Sequence, residues 1–250
     1  MEQYRVPNKL PSEEINILAQ RKGRLKQQAK RSAPLARKVK RPRDFVKATI
    51  YVAQQRRAVQ DAKRIKRNFL KTGFRLPNNA ITEGRLVLVF RHRGLHIANK
   101  DVLHSLRTLR LPVLRSAAFH LLTPEIHAHL KVVEPFVVWG YPADAIIREL
   151  IYKYGAFRGN GPDQKSVPMS SNQVVEQRLG HCDIICVEDL LNEVITVGPH
   201  FDEVRRALRC FTLSHPVGGW KEAPKGKLRS IGGEAGFRGD EINALFKRLL

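Results

Sequence analysis

Residues 86–90 read Leu-Val-Leu-Val-Phe, with an apolar side chain at every position. A strand sends successive side chains to opposite faces, so a strand made of this run has no face to offer water. It is predicted to be a central strand, covered above and below.

The downstream pattern supplies the cover. Asn99 stands where it can cap a helix over Lys100–Arg110, with Val102, Leu103, Leu106 and Leu109 on its buried face and Pro112 past its end. Ser116–Thr123 (SAAFHLLT) predicts a second strand. Thr123-Pro124-Glu125 then reads as an N-cap followed by proline at the first helical position, and Ile126, Leu130 and Val133 form that helix's inner stripe. Pro135–Gly140 (PFVVWG) predicts a third strand, and Pro142–Tyr154 a helix with Ile146, Ile147, Leu150 and Ile151 apolar. The order β-α-β-α-β-α with short links implies an α/β (α+β) fold, a small sheet covered by helices. Beyond Gly155 the pattern changes to a Gly/Pro/Ser loop over 156–170, then helices that include Glu188–Ile195 and Phe201–Arg209. Residues 214–240 are Gly-rich and basic, and Asp240–Leu249 closes as a short helix burying Ile242, Leu245, Phe246 and Leu249.

Charge divides the chain differently. Its net charge is +22 over 250 residues. Residues 1–75 hold 22 of the 45 Lys and Arg but only five of the 23 Asp and Glu, a net of +17; the remaining residues carry +5. With 42% hydrophobic residues the chain can build a core, so such an excess points to a polyanionic partner rather than to disorder. Three parts follow: a basic helical extension over 1–75, a β-α-β core over 76–155, and a helical, Gly-rich part over 156–250. The turn-rich stretch Gly73–Gly84, with Pro77, Asn78 and Asn79, marks the first boundary.

The extension predicts two helices, one from the cap at Ser12 to about Arg31, the other over Asp44–Lys71 with Phe45, Thr49, Val52 and Val59 at helical spacing. Like charges at i and i+4, such as Lys63 and Arg67, destabilise an isolated helix, and phosphates between them reverse that sign. The extension is therefore expected to order on RNA. The cations expected to meet phosphate are Arg21, Lys22, Arg24, Lys26, Lys30 and Arg31 in the first helix, and Arg37, Lys38, Lys40, Arg41 and Arg43 in the run RKVKRPR. In the second helix and just beyond it they are Arg56, Arg57, Lys63, Arg64, Lys66, Arg67, Lys71 and Arg75. In the core, Arg91 and Arg93 lie just after the first strand, and Arg107 and Arg110 lie off the apolar stripe of the next helix.

Catalytic signatures are missing: there is no GxSxG and no Walker-type loop. The stretch GGEAGFRG, residues 232–239, has a phosphate-cradle composition but follows no convincing strand, and reads better as a flexible loop against RNA backbone. Cys182 and Cys186, near His181 and His200, invite a zinc reading, but no second ligand pair accompanies them, and small buried residues is the reading preferred. Glu188, Asp189 and Glu193 suit a helix start and a solvated face, and His127 and His129, two apart, do not share a helix face. No RRM-type aromatic signature is present, so shape and backbone recognition of folded RNA is favoured over reading of single strands. Cys182, Cys186 and Cys210 give no even-numbered disulfide framework; with no secretory pattern and no apolar run of ~18 residues, a soluble chain in a reducing compartment is expected.

Several stretches resemble, in order, the eukaryotic L-seven branch of the universal L-thirty family of large-subunit ribosomal proteins. They are VPNKL near the N-terminus, LVLVFRHRG (Leu86–Gly94), LRTLRL (Leu106–Leu111), VVEPFVVWGYP (Val132–Pro142), RELIYKYG (Arg148–Gly155), HCDIICVEDLLNEVITVG (His181–Gly198) and GGEAGFRGDEINALFKRLL at the end. The resemblance implies a split β-α-β, ferredoxin-like core sheet with a long basic helical N-terminal extension. It implies a structural place on large-subunit rRNA beside neighbouring ribosomal proteins, in cytoplasmic ribosomes after nucleolar transit. It implies no catalysis and no obligatory cofactor; from the residues themselves no metal, small-molecule substrate or membrane is expected. HPVGGWKEAPKG (His215–Gly226) is less basic than the family's usual stretch, GFRG also resembles a paralogous assembly-factor branch, and Pro112–Ala117 is unusual. The second reading is therefore a transient large-subunit assembly factor that binds pre-rRNA in the nucleolus.

Overall fold

The computed structural model describes residues 21, 23–27, 47–72, 84–94, 99–159, 166–220, 228 and 233–250. The cap at Ser12, the run RKVKRPR and Gly73–Ile81 lie outside them, as do Phe45 and the start of the second predicted helix.

The apolar run forms β1 (Leu86–Arg91), and every residue of it is buried. It is followed by α2 (Lys100–Thr108), β2 (Ser116–Leu121), α3 (Pro124–Val133), a 3-10 turn over Glu134–Phe136, β3 (Val137–Gly140) and α4 (Asp144–Tyr154). Ahead of β1 stands α1 (Ala48–Thr72). β1 pairs antiparallel with β2 on one edge and β3 on the other, Leu88 facing Phe119 and Gly140. β2 and β3 are consequently parallel to each other, joined through α3 with β1 inserted between them. This is the split β-α-β, ferredoxin-like arrangement.

Side-chain alternation divides the core into two layers. Leu86, Leu88 and Phe90, with Phe119 and Val138, face one layer built from α4 and the later helices α5 (Asn172–Leu179), α6 (Val187–Thr196), α7 (Phe201–Ala207) and α8 (Ile242–Leu249). Val87 and Val89, with Ala118 and Trp139, face the other, built from α2 and α3 through Val102, Leu106, Leu109, Leu130 and Val133. Burying such side chains contributes roughly 1.5–3 kcal/mol each, which is why the strand dictates both layers. Thr123 caps α3 as its sequence requires, its hydroxyl accepting from the Ile126 amide at 3.3 Å. Leu103 departs from the predicted stripe: at 37% exposure it points out of the core, and Ser105 takes an inward place.

The sheet is completed by β6 (Phe211–Thr212) beside β2 and by β7 (Gly236–Gly239) beside β3, in the order β6-β2-β1-β3-β7. β7 lies within the stretch read as a flexible phosphate loop. It is instead a parallel edge strand, with Phe237 against Trp139 at 4.5 Å between ring centroids. The approach is close: a Cβ on Gly140 would fall well inside van der Waals contact distance of the Gly239 carbonyl oxygen. The loop over 156–170 contains a short hairpin of its own, β4 (Ala156–Phe157) against β5 (Val167–Pro168).

α1 stands apart from this body. Ile65 packs against the α2–α3 layer, but Val52 and Val59, predicted as its apolar stripe, are 50% and 41% exposed. Too few apolar side chains recur on one face to bury its whole length, and only its later turns are anchored.

One buried group ties the fold to pH. His120 in β2 is fully buried, its Nε2–H donating to the Leu109 carbonyl at 3.0 Å while Arg205 donates to Nδ1 at 3.3 Å. Burial, reinforced by the charges of Arg205 and Arg110, lowers its pKa from 6.5 to about 4. The unfolded chain takes up this proton and the folded chain does not. Stability is therefore complete above pH 6.5 and is lost as pH falls from there toward 4. The loss from His120 is on the order of 3 kcal/mol, and buried His127 adds to it in the same direction. Urea unfolding between pH 7 and 4.5 should show this slope, and His120→Gln should flatten it; an unchanged slope would remove His120 as its source.

Candidate nucleic-acid interface

The basic residues separate into two populations. Four of those expected on RNA are held by the protein's own carbonyls. Arg64 on α1 reaches the end of α3, donating to the Val132 carbonyl at 2.7 Å and the Lys131 carbonyl at 3.3 Å, with Asp61 at 3.5 Å. Arg21 is buried and donates to the Ile151 carbonyl, in the last turn of α4, at 3.1 Å. Arg110 reaches the end of α7, where it meets the carbonyls of Arg205, Arg206 and Leu208. Arg91 donates to the carbonyls of Leu111 and Pro112, just beyond α2, at 2.8 and 2.6 Å.

For Arg21, Arg64 and Arg110 the physical reason is shared. The last carbonyls of a helix have no partner within it and carry the negative end of its dipole. A guanidinium satisfies several of them at once and supplies opposite charge. Burial lowers the Arg21 and Arg110 pKa values to about 10, still far above neutrality, so both remain cations. Arg110 also occupies the left-handed region, φ 55°, as the residue after the α2 cap. Its amide bonds to the Arg107 carbonyl and the Leu111 amide to the Leu106 carbonyl, the Schellman pattern usually made by glycine. An arginine there retains the staple on α7 that glycine would forgo.

The second population faces outward. Arg56, Arg57, Lys63, Lys66 and Arg67 on α1 are exposed, and none of the five has an ion-pair partner among the described residues. The single acid of α1, Asp61, pairs with Arg64. Arg24 and Lys26 are exposed on the helical stretch 23–27. Arg93 is exposed beside the Phe136 ring at 5.7 Å, and Arg107 is exposed on α2. Lys22, Lys30, Arg31, Arg37, Lys38, Lys40, Arg41, Arg43 and Arg75 lie outside the described residues, as does the side chain of Lys71.

A further cationic group was not singled out by the sequence. Arg158, Arg206 and Arg209 are exposed around the Arg110 staple, where the β6 edge meets α7. Arg205 in the same group is neutralised by Asp202 at 3.1 Å. The run RRALR, residues 205–209, at the end of the predicted helix Phe201–Arg209, is the signal that could have found it. No described helix is long and apolar enough to cross a membrane.

Fold and surface define a class: a split β-α-β protein whose exposed cations gather on an outlying helix and at a sheet edge. No family model matches the chain. It is 36% identical over 214 residues to large ribosomal subunit protein uL30 of Caenorhabditis elegans, covering 85% of this chain and 84% of that one. It is 41% identical over 178 residues to uL30A of Paramecium tetraurelia, covering 71% and 68%, and 37% identical over 205 residues to uL30 of Tetrahymena thermophila, covering 82% of each. The chain belongs to the uL30 family of large ribosomal subunit proteins.

The two populations differ in a measurable way. Removing the Arg91 guanidinium leaves the carbonyls of Arg93, Leu111 and Pro112 without their charged donor, so Arg91→Ala should cost about 3 kcal/mol in urea unfolding. Arg107→Ala should stay within about 0.5 kcal/mol. Equal effects at the two positions would contradict the division.

Proposed function

We propose that this protein is a structural constituent of the large ribosomal subunit that binds and stabilises folded rRNA, without catalysing a reaction. The observation that carries the reading is α1: five exposed cations with no ion-pair partner among the described residues, on a helix anchored to the body by Ile65 and Arg64. In isolation their mutual repulsion works against the helix; lying along phosphates, each cation gains a partner and releases condensed counterions. The body serves as the platform that aims this helix, and Arg64 fixes its angle by holding the end of α3. Membership of a family named for the large subunit supports the choice of rRNA among polyanions. Arg24, Lys26, Arg93 and Arg107 are assigned to the same interface, together with the extension's remaining cations: Lys22, Lys30, Arg31, Arg37, Lys38, Lys40, Arg41, Arg43, Lys71 and Arg75. Arg21, Arg64, Arg91 and Arg110 are assigned to holding the protein together.

The test is binding of purified large-subunit rRNA across a KCl series. Replacing Arg56, Arg57, Lys63, Lys66 and Arg67 with Gln should weaken binding and flatten the dependence of log K on log salt by about 3–4 if most of the five meet phosphate. Unchanged affinity and slope would remove α1 from the interface.

A further inference from the structure

The two neighbouring cysteines of HCDIIC are turned to different tasks. Cys186 is the N-cap of α6: its sulfur accepts from the Asp189 amide at 3.3 Å while its own amide donates to Asp189 Oδ2 at 3.1 Å. Cys182 belongs to another constellation. It ends a 3-10 turn over Gly180–Cys182 that follows α5, and Asp183 after it takes φ 58°, turning the chain sharply away. Its sulfur lies 2.6 Å from Glu203 Oε2, in the first turn of α7. His181 Nε2 lies 3.2 Å from the same oxygen. The three donor atoms fall within 4.8 Å of one another, two from one turn and one from a helix distant in sequence.

We propose that His181, Cys182 and Glu203 form a binding site for a single zinc ion, which staples the end of α5 to the start of α7. The donor set is the mixture of imidazole nitrogen, thiolate sulfur and carboxylate oxygen that zinc accepts. Bonds of ~2.0–2.3 Å place tetrahedral ligands roughly 3–4 Å apart, the spacing these atoms already approach. Cys182 is 4% exposed, while His181 and Glu203 are exposed, so the site has a buried floor and an open mouth. A water completes the tetrahedron on the open side. When the sulfur–zinc bond forms, the thiol proton leaves to solvent and the Cys182–Glu203 hydrogen bond is replaced by two metal bonds. Hard cations such as Mg²⁺ are disfavoured, since they take oxygen ligands and dehydrate reluctantly. The site is independent of the RNA surface and stands or falls without it.

The experiment uses the full-length reduced protein titrated with ZnCl₂ by calorimetry and with CoCl₂ by absorption. One ion per chain is expected, and the cobalt form should show the thiolate-to-metal charge-transfer band with the intense visible bands of a tetrahedral centre. Cys182→Ser, His181→Ala and Glu203→Gln should each weaken binding at least about tenfold. Cys186→Ser, which retains a capping side chain, should leave affinity and spectrum unchanged. The site is overturned if the wild-type protein binds no ion saturably, or if its cobalt form lacks the thiolate band. It is also overturned if Cys182→Ser binds as well as wild type or if Cys186→Ser abolishes binding. The cobalt spectrum of the wild-type protein is decisive even where a variant fails to fold.

Discussion

Strand β1 has five consecutive apolar side chains and ladder partners on both edges, and the rest of the body is arranged to keep water from it. Two facing layers are needed, so α2 and α3 cover Val87 and Val89 while α4 to α8 cover Leu86, Leu88 and Phe90. Because β2 and β3 both run opposite to β1, the connection through α3 has to cross over it, and the ends of α2, α3 and α4 are thereby presented around the sheet. Those ends carry carbonyls that need donors. Arg64 and Arg21 answer this need at the ends of α3 and α4.

Arginine therefore serves two purposes that composition does not distinguish. On the body it closes helix ends: Arg21 on α4, Arg64 on α3, Arg110 on α7, and Arg91 on the segment after α2. On α1, Arg56, Arg57 and Arg67 have no ion-pair partner among the described residues. Arg64 joins the two uses, since it sits on the cationic helix yet spends its charge on the body, and it orients the free cations beside it. With Val52 and Val59 exposed, and Ile65 packed inward, the described side chains of this helix gain little from burial. Under the proposed function, rRNA phosphates supply its remaining stabilisation.

Much of the body was legible because periodicity reports burial. The stripes of α4 and α8, the Thr123-Pro124 start of α3 and the doubly covered β1 all follow from spacing alone. The structure departs from sequence where the outcome depends on a distant partner. β7 reads Gly-Phe-Arg-Gly, a poor strand by composition, and it becomes one because β3 offers an open edge and Gly140 allows the close approach. Leu103 and Val52 have the right spacing but no facing layer. Arg21 and Arg24 look alike in sequence, yet one is buried against Ile151 and the other is exposed. Cys182 and Cys186 looked like a pair; the chain reversal at Asp183 separates them and brings Glu203, remote in sequence, to the first of them.

Residence in the large subunit is the claim on which the function rests. It is tested most directly by following a tagged copy of this chain through a sucrose gradient of cytoplasmic extract, with nuclear extract run alongside. The account predicts one copy per large subunit, present through the polysomes and retained after washing at moderate salt. Absence from cytoplasmic subunits and polysomes, with the protein confined to nuclear precursors, would contradict it.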